Sequence, residues 1–409
     1  MTETTATRLR VFIPFACGYF LSYLYRVVNA VLAPNLAADL GVDPSDLGLL
    51  TAAYFFTFAA CQLPLGVLLD RFGPRKIEAF LLLFAATGAW IFSSAQSLGG
   101  LLAGRALIGL GVSACLMAAF KAFVIWFPRE QLPLINGFQM AAGGLGALTA
   151  TAPVEAALAI TDWRGVFWIL ALLTLGVAIA VYKIVPEKGA YGVSAGLKEQ
   201  VGGIRQVFSS LFFWRLAPWT TLSQATLLSI QGLWAGPWLR DVAGFDRGQV
   251  AGCLLLVAAA MVAGFVFLGA AAERLNRIGV RPLTVAGCAM VVFMGVLLLI
   301  VLEWTAAALP LWILFGFFGT SGILPYAVLS QHFPSGLSGR ATTALNLLVF
   351  VAAFCAQWGI GAVIEIWPIS PEGHYAAAGY QTAFFVMLCL QAVTFLWFLI
   401  AGRISPARS

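Results

Sequence analysis

Gly66-Val67-Leu68-Leu69-Asp70-Arg71-Phe72-Gly73-Pro74-Arg75-Lys76 closes one long apolar run and opens the next. Its opening pattern returns as Gly269-Ala270-Ala271-Ala272-Glu273-Arg274, 203 residues later, about half the length of the 409-residue chain. Phe127-Pro128 is echoed by Phe333-Pro334 at an offset of 206. Two echoes at nearly one offset read as a duplicated architecture. Within the quoted stretch Gly66 permits close helix contact. Asp70 is placed to meet a neighbouring helix end or a basic residue, and Arg71, Arg75 and Lys76 hold the turn at one membrane face.

On both sides of this turn the chain is apolar. It is 61% hydrophobic and 10% charged, against about 25% charged residues in soluble proteins. Stretches of about 20 apolar residues, each able to cross a core of about 30 Å as a helix, recur along it. Twelve are expected, near 11–32, 47–69, 77–97, 99–125, 134–160, 163–184, 215–240, 248–271, 281–302, 308–331, 341–366 and 378–402. With both ends on one side, 17 of the 23 Lys and Arg residues fall on that side, and only Arg164, Arg240 and Arg247 fall opposite. The bias places both termini in the cytoplasm. The net charge of +6 follows from this topology and is no nucleic-acid signal. The N-terminus has no small-residue cleavage site, and a bacterial inner membrane is the simplest address.

The longest polar stretch, Lys183 to Trp214, contains Pro186, Gly189, Gly192, Gly202 and Gly203. It reads as a cytoplasmic linker, 185–214, between six-helix bundles at 1–184 and 215–409, with a short surface helix near 197–210. The seven cysteines all lie inside spans without metal-type spacing, so they read as small apolar residues. His332 and His374 lie in loops on opposite sides and form neither a metal site nor a triad, which argues against an enzyme.

Arg26 is the informative charge. It lies inside the first span, where a guanidinium costs somewhere between roughly 2.5 and 17 kcal/mol. At helical spacing Tyr19, Ser22, Arg26 and Asn29 share one face. Such a stripe should face protein or a water-filled cavity. The fourth span carries Arg105, Gly109, Ser113, Met117 and Lys121 at i+4 steps. Lys121 is close enough to the inner edge for snorkelling to compete evenly with anion binding. Arg105, near the outer edge, suits a structural or coupling role. Two acids are read as lying inside spans, Glu155 and Glu365. Glu155 is placed to reach Arg26 or Arg105 as a coupling acid, or to sit at the outer rim; Glu365 reads as rim. Gln224, Gln231 and Trp234 share a face of the seventh span. Tyr326 and Ser330 on the tenth, and Thr343, Asn346 and Gln357 on the eleventh, offer further hydrogen-bonding groups, though such groups also join membrane helices.

The stretch from Gly66 to Lys76 resembles the signature loop between helices two and three of the major facilitator superfamily, and the resemblance covers essentially the whole chain. It implies twelve helices in two pseudo-symmetric halves. Arg105-Ala-Leu-Ile-Gly109-Leu-Gly111 is similar to an Arg-x-x-x-Gly-x-Gly pattern associated with proton coupling in some members. Gly143-Gly144-Leu145-Gly146 with Pro153 is loosely similar to the fifth helix of exporters but lacks their Gly-Pro pair. Tyr23-Leu24-Tyr25-Arg26 with Asn29 resembles the sugar-phosphate and organic-anion permeases, whose first-helix Arg grips an anionic group. Phosphate exchangers carry a second Arg in helix seven. Here that span has basic residues only at its ends, Arg215 and Arg240, which favours a single carboxylate.

The expectation is an all-α alternating-access transporter for a small organic anion, preferably a monocarboxylate moved with a proton. Arg26, Lys121, Tyr19, Asn29, Gln224, Gln231, Tyr326 and Asn346 are the substrate-binding candidates, and Arg105, Glu155, Asp70 and Arg71 the coupling or gating candidates. The partners are the anion, a proton and the bilayer, with no nucleic acid, no cofactor and no metal, and the chain acts as a monomer. Anion exchange, export of lipophilic compounds and a membrane sensor are the rival readings.

Overall fold

Proline and glycine set the helix boundaries at both copies of the repeat. The computed structural model describes residues 3–41, 44–187, 197–368 and 375–404, so His374 and part of the 185–214 linker lie outside the described residues. Pro74 opens one helix directly after Gly73, whose φ of +82° an L side chain would strain. In the second copy Pro282 opens a helix three residues after Gly279, at φ +90°.

Among the described residues all regular structure is helical. Contacts group the chain into two units: one of Met1–Ile135, Gln139–Gly203 and Ser330–Ala344, the other of Asn136–Phe138, Ile204–Leu329 and Leu345–Ser409. The first contains α1 (Glu3–Leu40), α2 (Pro44–Phe72), α3 (Pro74–Ser93), α4 (Leu98–Val112) and α5 (Cys115–Trp126). It continues with most of α6 (Leu132–Thr149), then α7 (Ala152–Leu158) and α8 (Trp163–Ile184). A short helix, α9 (Leu197–Phe208), follows where the surface helix is expected. The second unit holds α10 (Leu211–Ser229), α11 (Ala235–Asp241), α12 (Arg247–Asn276), α13 (Pro282–Val301), α14 (Ala308–Gly319) and most of α15 (Leu324–His332). It ends with the later part of α16 (Ser335–Ile364) and α17 (Ala377–Ile404).

Ten stretches of the described residues are long and apolar enough to cross a bilayer. The two other expected spans are interrupted helices. The fifth breaks between α6 and α7, where Pro153 opens the new helix. The seventh contains a π-turn at Ile230–Trp234 between α10 and α11, a distortion frequent at functional sites.

Each unit has its own apolar interior. In the first, α3 packs on α4 and α8, and the Phe92 and Phe167 rings stack at 4.1 Å. In the second, Trp238 meets Trp312 edge-on at 5.5 Å and Phe293 lies 4.8 Å from Phe315. Large apolar side chains such as Phe56, Leu172, Phe267, Phe354 and Val393 point outward. A bilayer accepts them at no cost, because hydrocarbon is as apolar as the interior.

Candidate functional site

The first helix builds the centre of the site. Tyr19, Ser22 and Asn29 are buried and Arg26 is half-buried on the shared face of α1. The Arg26 guanidinium lies over the Tyr23 ring at 4.4 Å, the Phe58 ring at 5.5 Å and the Phe55 ring at 5.8 Å. Tyr54 also hydrogen-bonds it. Each cation–π contact is worth roughly 0.5–2 kcal/mol, so the rings offset part of the desolvation cost and fix the cation in place. One helical turn on, Asn29 is only 6% exposed, yet neither its amide oxygen nor its nitrogen has a hydrogen-bond partner among the described residues.

The glycine-rich stretch of α6 makes this arrangement possible. A Cβ on Gly143 would come within 2.8 Å of the Tyr23 ring and against Tyr19 as well. The Tyr19 hydroxyl donates to the Met140 sulfur at 3.3 Å. Gly143, in the stretch that loosely resembles an exporter helix, thus provides room for two tyrosines. Tyr23, Tyr54, Phe55 and Phe58 join the expected residues around Arg26. For Tyr54, Phe55 and Phe58 the signal is the aromatic run Tyr54-Phe55-Phe56-Thr57-Phe58 in the second span, and Tyr23 stands in the Tyr23-Leu24-Tyr25-Arg26 motif.

Arg105 serves the scaffold. It is fully buried, donates to the Tyr25 carbonyl at 2.8 Å and lies over the Tyr54 ring at 4.7 Å. The Tyr54 hydroxyl donates to the Ser22 carbonyl at 3.3 Å. Arg105 therefore holds the ring that borders Arg26.

Lys121 is engaged away from Arg26. Its ammonium donates to Asp70 Oδ1 at 2.6 Å and to the Ser338 hydroxyl at 3.0 Å. Asp70 also accepts from the backbone N–H groups of Gly339 at 3.1 Å and Arg340 at 3.3 Å, and its Oδ2 lies 3.4 Å from the Arg340 guanidinium. Gly66 lets this happen: a Cβ there would stand 2.9 Å from the Arg340 Cα. The donors in this cluster answer one carboxylate, so Lys121 belongs to a buried ionic staple at the α2 end. Arg71 is exposed and lies over Phe72 at 5.0 Å.

Glu155 is exposed on α7 and pairs with neither Arg26 nor Arg105 among the described residues. Glu365 is exposed. A third acid inside the spans, Glu78, is the second residue of the third expected span and was overlooked beside Arg75 and Lys76. It is fully buried.

In the second unit, Gln224 is buried and donates to the Gly319 carbonyl at 3.3 Å. Gln231 lies in the π-turn and is half-buried. Trp234, at the end of that turn, donates to the Gln357 carbonyl at 3.1 Å. Tyr326 and Asn346 are buried.

The profile of the Major Facilitator Superfamily matches residues 15–357. A probable sulfoacetate transporter of Cupriavidus necator is 26% identical over 279 residues, 65% of this chain and 64% of that relative. A hexuronate transporter of Escherichia coli is 25% identical over 253 residues, 57% of this chain and 58% of its own length. The chain thus spans under two thirds of either relative. Among solved structures, the transporter FucP in its outward conformation superimposes with a TM-score of 0.75 at 15% identity, covering 96% of this chain and 99% of FucP.

Proposed function

The chain belongs to the major facilitator superfamily, and from that premise we propose that it transports a small organic anion by alternating access, with Arg26 as the anchor for the anionic group. One observation carries the reading. A membrane-embedded guanidinium is framed by three aromatic rings and tyrosine hydroxyls, one turn from a buried asparagine amide with open hydrogen-bonding capacity. The guanidinium and the amide N–H are donors, from which a carboxylate or sulfonate can accept. The sulfoacetate and hexuronate relatives favour such a ligand. The flanking rings suit a monocarboxylate with a compact body. Tyr19 and Asn29 assist Arg26, and Gln224, Gln231, Tyr326 and Asn346 supply further hydrogen bonds. The chain works as a monomer of two six-helix halves, 1–184 and 215–409, joined by 185–214, in a bacterial inner membrane with both termini cytoplasmic. With no nucleotide-binding motif in the sequence, an ion or counter-substrate gradient drives it, and proton symport is preferred over anion exchange.

Counterflow in reconstituted vesicles, with sulfoacetate and galacturonate as probes, tests the anchor. Removing one partner of a buried charge-assisted contact costs about 2–5 kcal/mol, so Arg26→Ala should reduce counterflow at least about 30-fold while the protein still inserts. Counterflow at the wild-type rate sinks the reading. An exporter of lipophilic compounds would instead tolerate Arg26→Gln and lower the drug sensitivity of cells expressing it.

A further inference from the structure

Glu78 is the buried charge that the anion site leaves unexplained. It is 0% exposed, and neither carboxylate oxygen has a hydrogen-bond partner among the described residues. Its surroundings come from three helices of one unit. On α1, Gly18 faces it so closely that a Cβ would run into Oε1. On α5, the Cys115 thiol lies within electrostatic reach of both Glu78 and Arg26. On α3 itself, Arg75 and Lys76 turn away to Glu187, at 3.5 and 2.5 Å. Of the other charged groups on the packed elements, those with described partners are engaged elsewhere, and Arg10 and Cys17 of α1 are exposed. Lys121 of α5 pairs with Asp70 of α2, Arg105 of α4 with the Tyr25 carbonyl, and α8 offers Tyr182, which borders Arg75.

An ionised carboxylate at this place has lost its water and gained neither donor nor cation in exchange, whereas the protonated acid carries no net charge to desolvate. A buried polar group left without partners in this way calls for a specific explanation. We propose that Glu78 is the proton-binding residue of the transporter, taking up one proton with each anion and giving it up on the other side. The proposal rests on Arg26 as the anion site. Proton release requires the α1–α3–α5 packing to loosen around Gly18 and Cys115, so hydration of the carboxyl changes with the conformational cycle. The step is a plain proton exchange between the carboxylate and water, with no redox partner.

The distance sets the strength of the coupling. Gly18, against which Glu78 packs, precedes Arg26 by eight residues on α1, about 12 Å along the axis. At an effective dielectric constant of about 20, unit charges that far apart change proton affinity about tenfold. An anion on Arg26 cancels the positive field there and strengthens the proton on Glu78. By linkage, acidification must tighten anion binding by the same factor.

The test uses the full chain, purified and reconstituted, with galacturonate and sulfoacetate as probes. Wild-type protein should bind the transported probe about tenfold more tightly in acidic than in alkaline medium. Glu78→Gln should bind with no such dependence, keep counterflow, and lose accumulation driven by an inward proton gradient. Gradient-driven accumulation at the wild-type level in Glu78→Gln overturns the assignment. So does wild-type protein that takes up no proton when the probe is added in unbuffered medium alkaline enough to have ionised Glu78 beforehand, whatever the variant's folding. An infrared band of a protonated carboxyl, present in wild type and missing from Glu78→Gln, reads the residue without any anion. If both spectra are the same, the assignment fails even where Arg26→Ala has confirmed the anion site. If the band is lost while Arg26→Ala counterflow is normal, Glu78 holds its proton and the anion reading alone falls.

Discussion

Asp70 and Glu78 stand eight residues apart on either side of one turn, both in helices and both buried, yet their surroundings are opposite. Asp70 receives an ammonium, two backbone N–H groups and a nearby guanidinium. Glu78 receives nothing among the described residues. Burial alone therefore assigns a carboxylate no role. With donors around it the group joins helices; without them, on the assignment proposed above, it is an acid that exchanges its proton. The second copy of the repeat adds a further case. Glu273, at the position matching Asp70, is 6% exposed but bonds locally to Arg277 at 2.5 Å. The duplication preserves the charge and not its connections.

Neutralising Asp70 should give the largest change in stability. Breaking a buried pair by removing one partner costs about 3–5 kcal/mol, because the other charge is stranded. Asp70→Asn should therefore lower the melting temperature in detergent markedly, and adding Lys121→Met should restore part of the loss. A single variant as stable as wild type would erase the contrast with Glu78.

Glu78→Gln should do far less to stability. An amide replaces a neutral acid of the same shape where no partner is lost, so a change within about 1 kcal/mol is expected. A drop as large as that of Asp70→Asn, in the same thermal assay, would mean that the carboxylate is ionised and bonded.

The smallest effect belongs to a carboxylate that has partners but remains in water. Asp39 on α1 pairs with Arg164 and accepts from the Trp163 indole at 3.1 Å, and these bonds hold it below the usual carboxylate range. With the folded value depressed, its stabilisation is present above the unfolded value of about 4 and fades as pH falls through the folded one. Asp39→Asn should melt slightly below wild type near neutral pH and together with it in acid. Equal melting at both pH values would show that the exposed pair contributes nothing.

Much of the anion site was legible in one dimension. Arg26, Tyr19, Ser22 and Asn29 form their stripe through helical periodicity alone, and the structure keeps that face together. Lys121 was ambiguous because its distance from the membrane edge allows two fates. Asp70, 51 residues away, and Ser338, 217 residues away, decide between them. Glu155 looked deep enough to meet an arginine, but the break after α6 leaves it on an exposed face. Glu78 was hidden by its neighbours, since a glutamate after Arg75 and Lys76 reads as part of a charged loop.

The sequence by itself determined that this chain crosses a membrane many times, that its halves repeat, and that a cation sits in the first span. Those properties follow from composition, period and charge bias, which each segment carries independently of the others. Only the tertiary structure decided which charges have partners. Burial and hydrogen bonding depend on the rotation and neighbours of each helix, and an apolar sequence leaves both open. That is why the rings around Arg26, the donors around Asp70 and the isolation of Glu78 emerge only once the helices are packed.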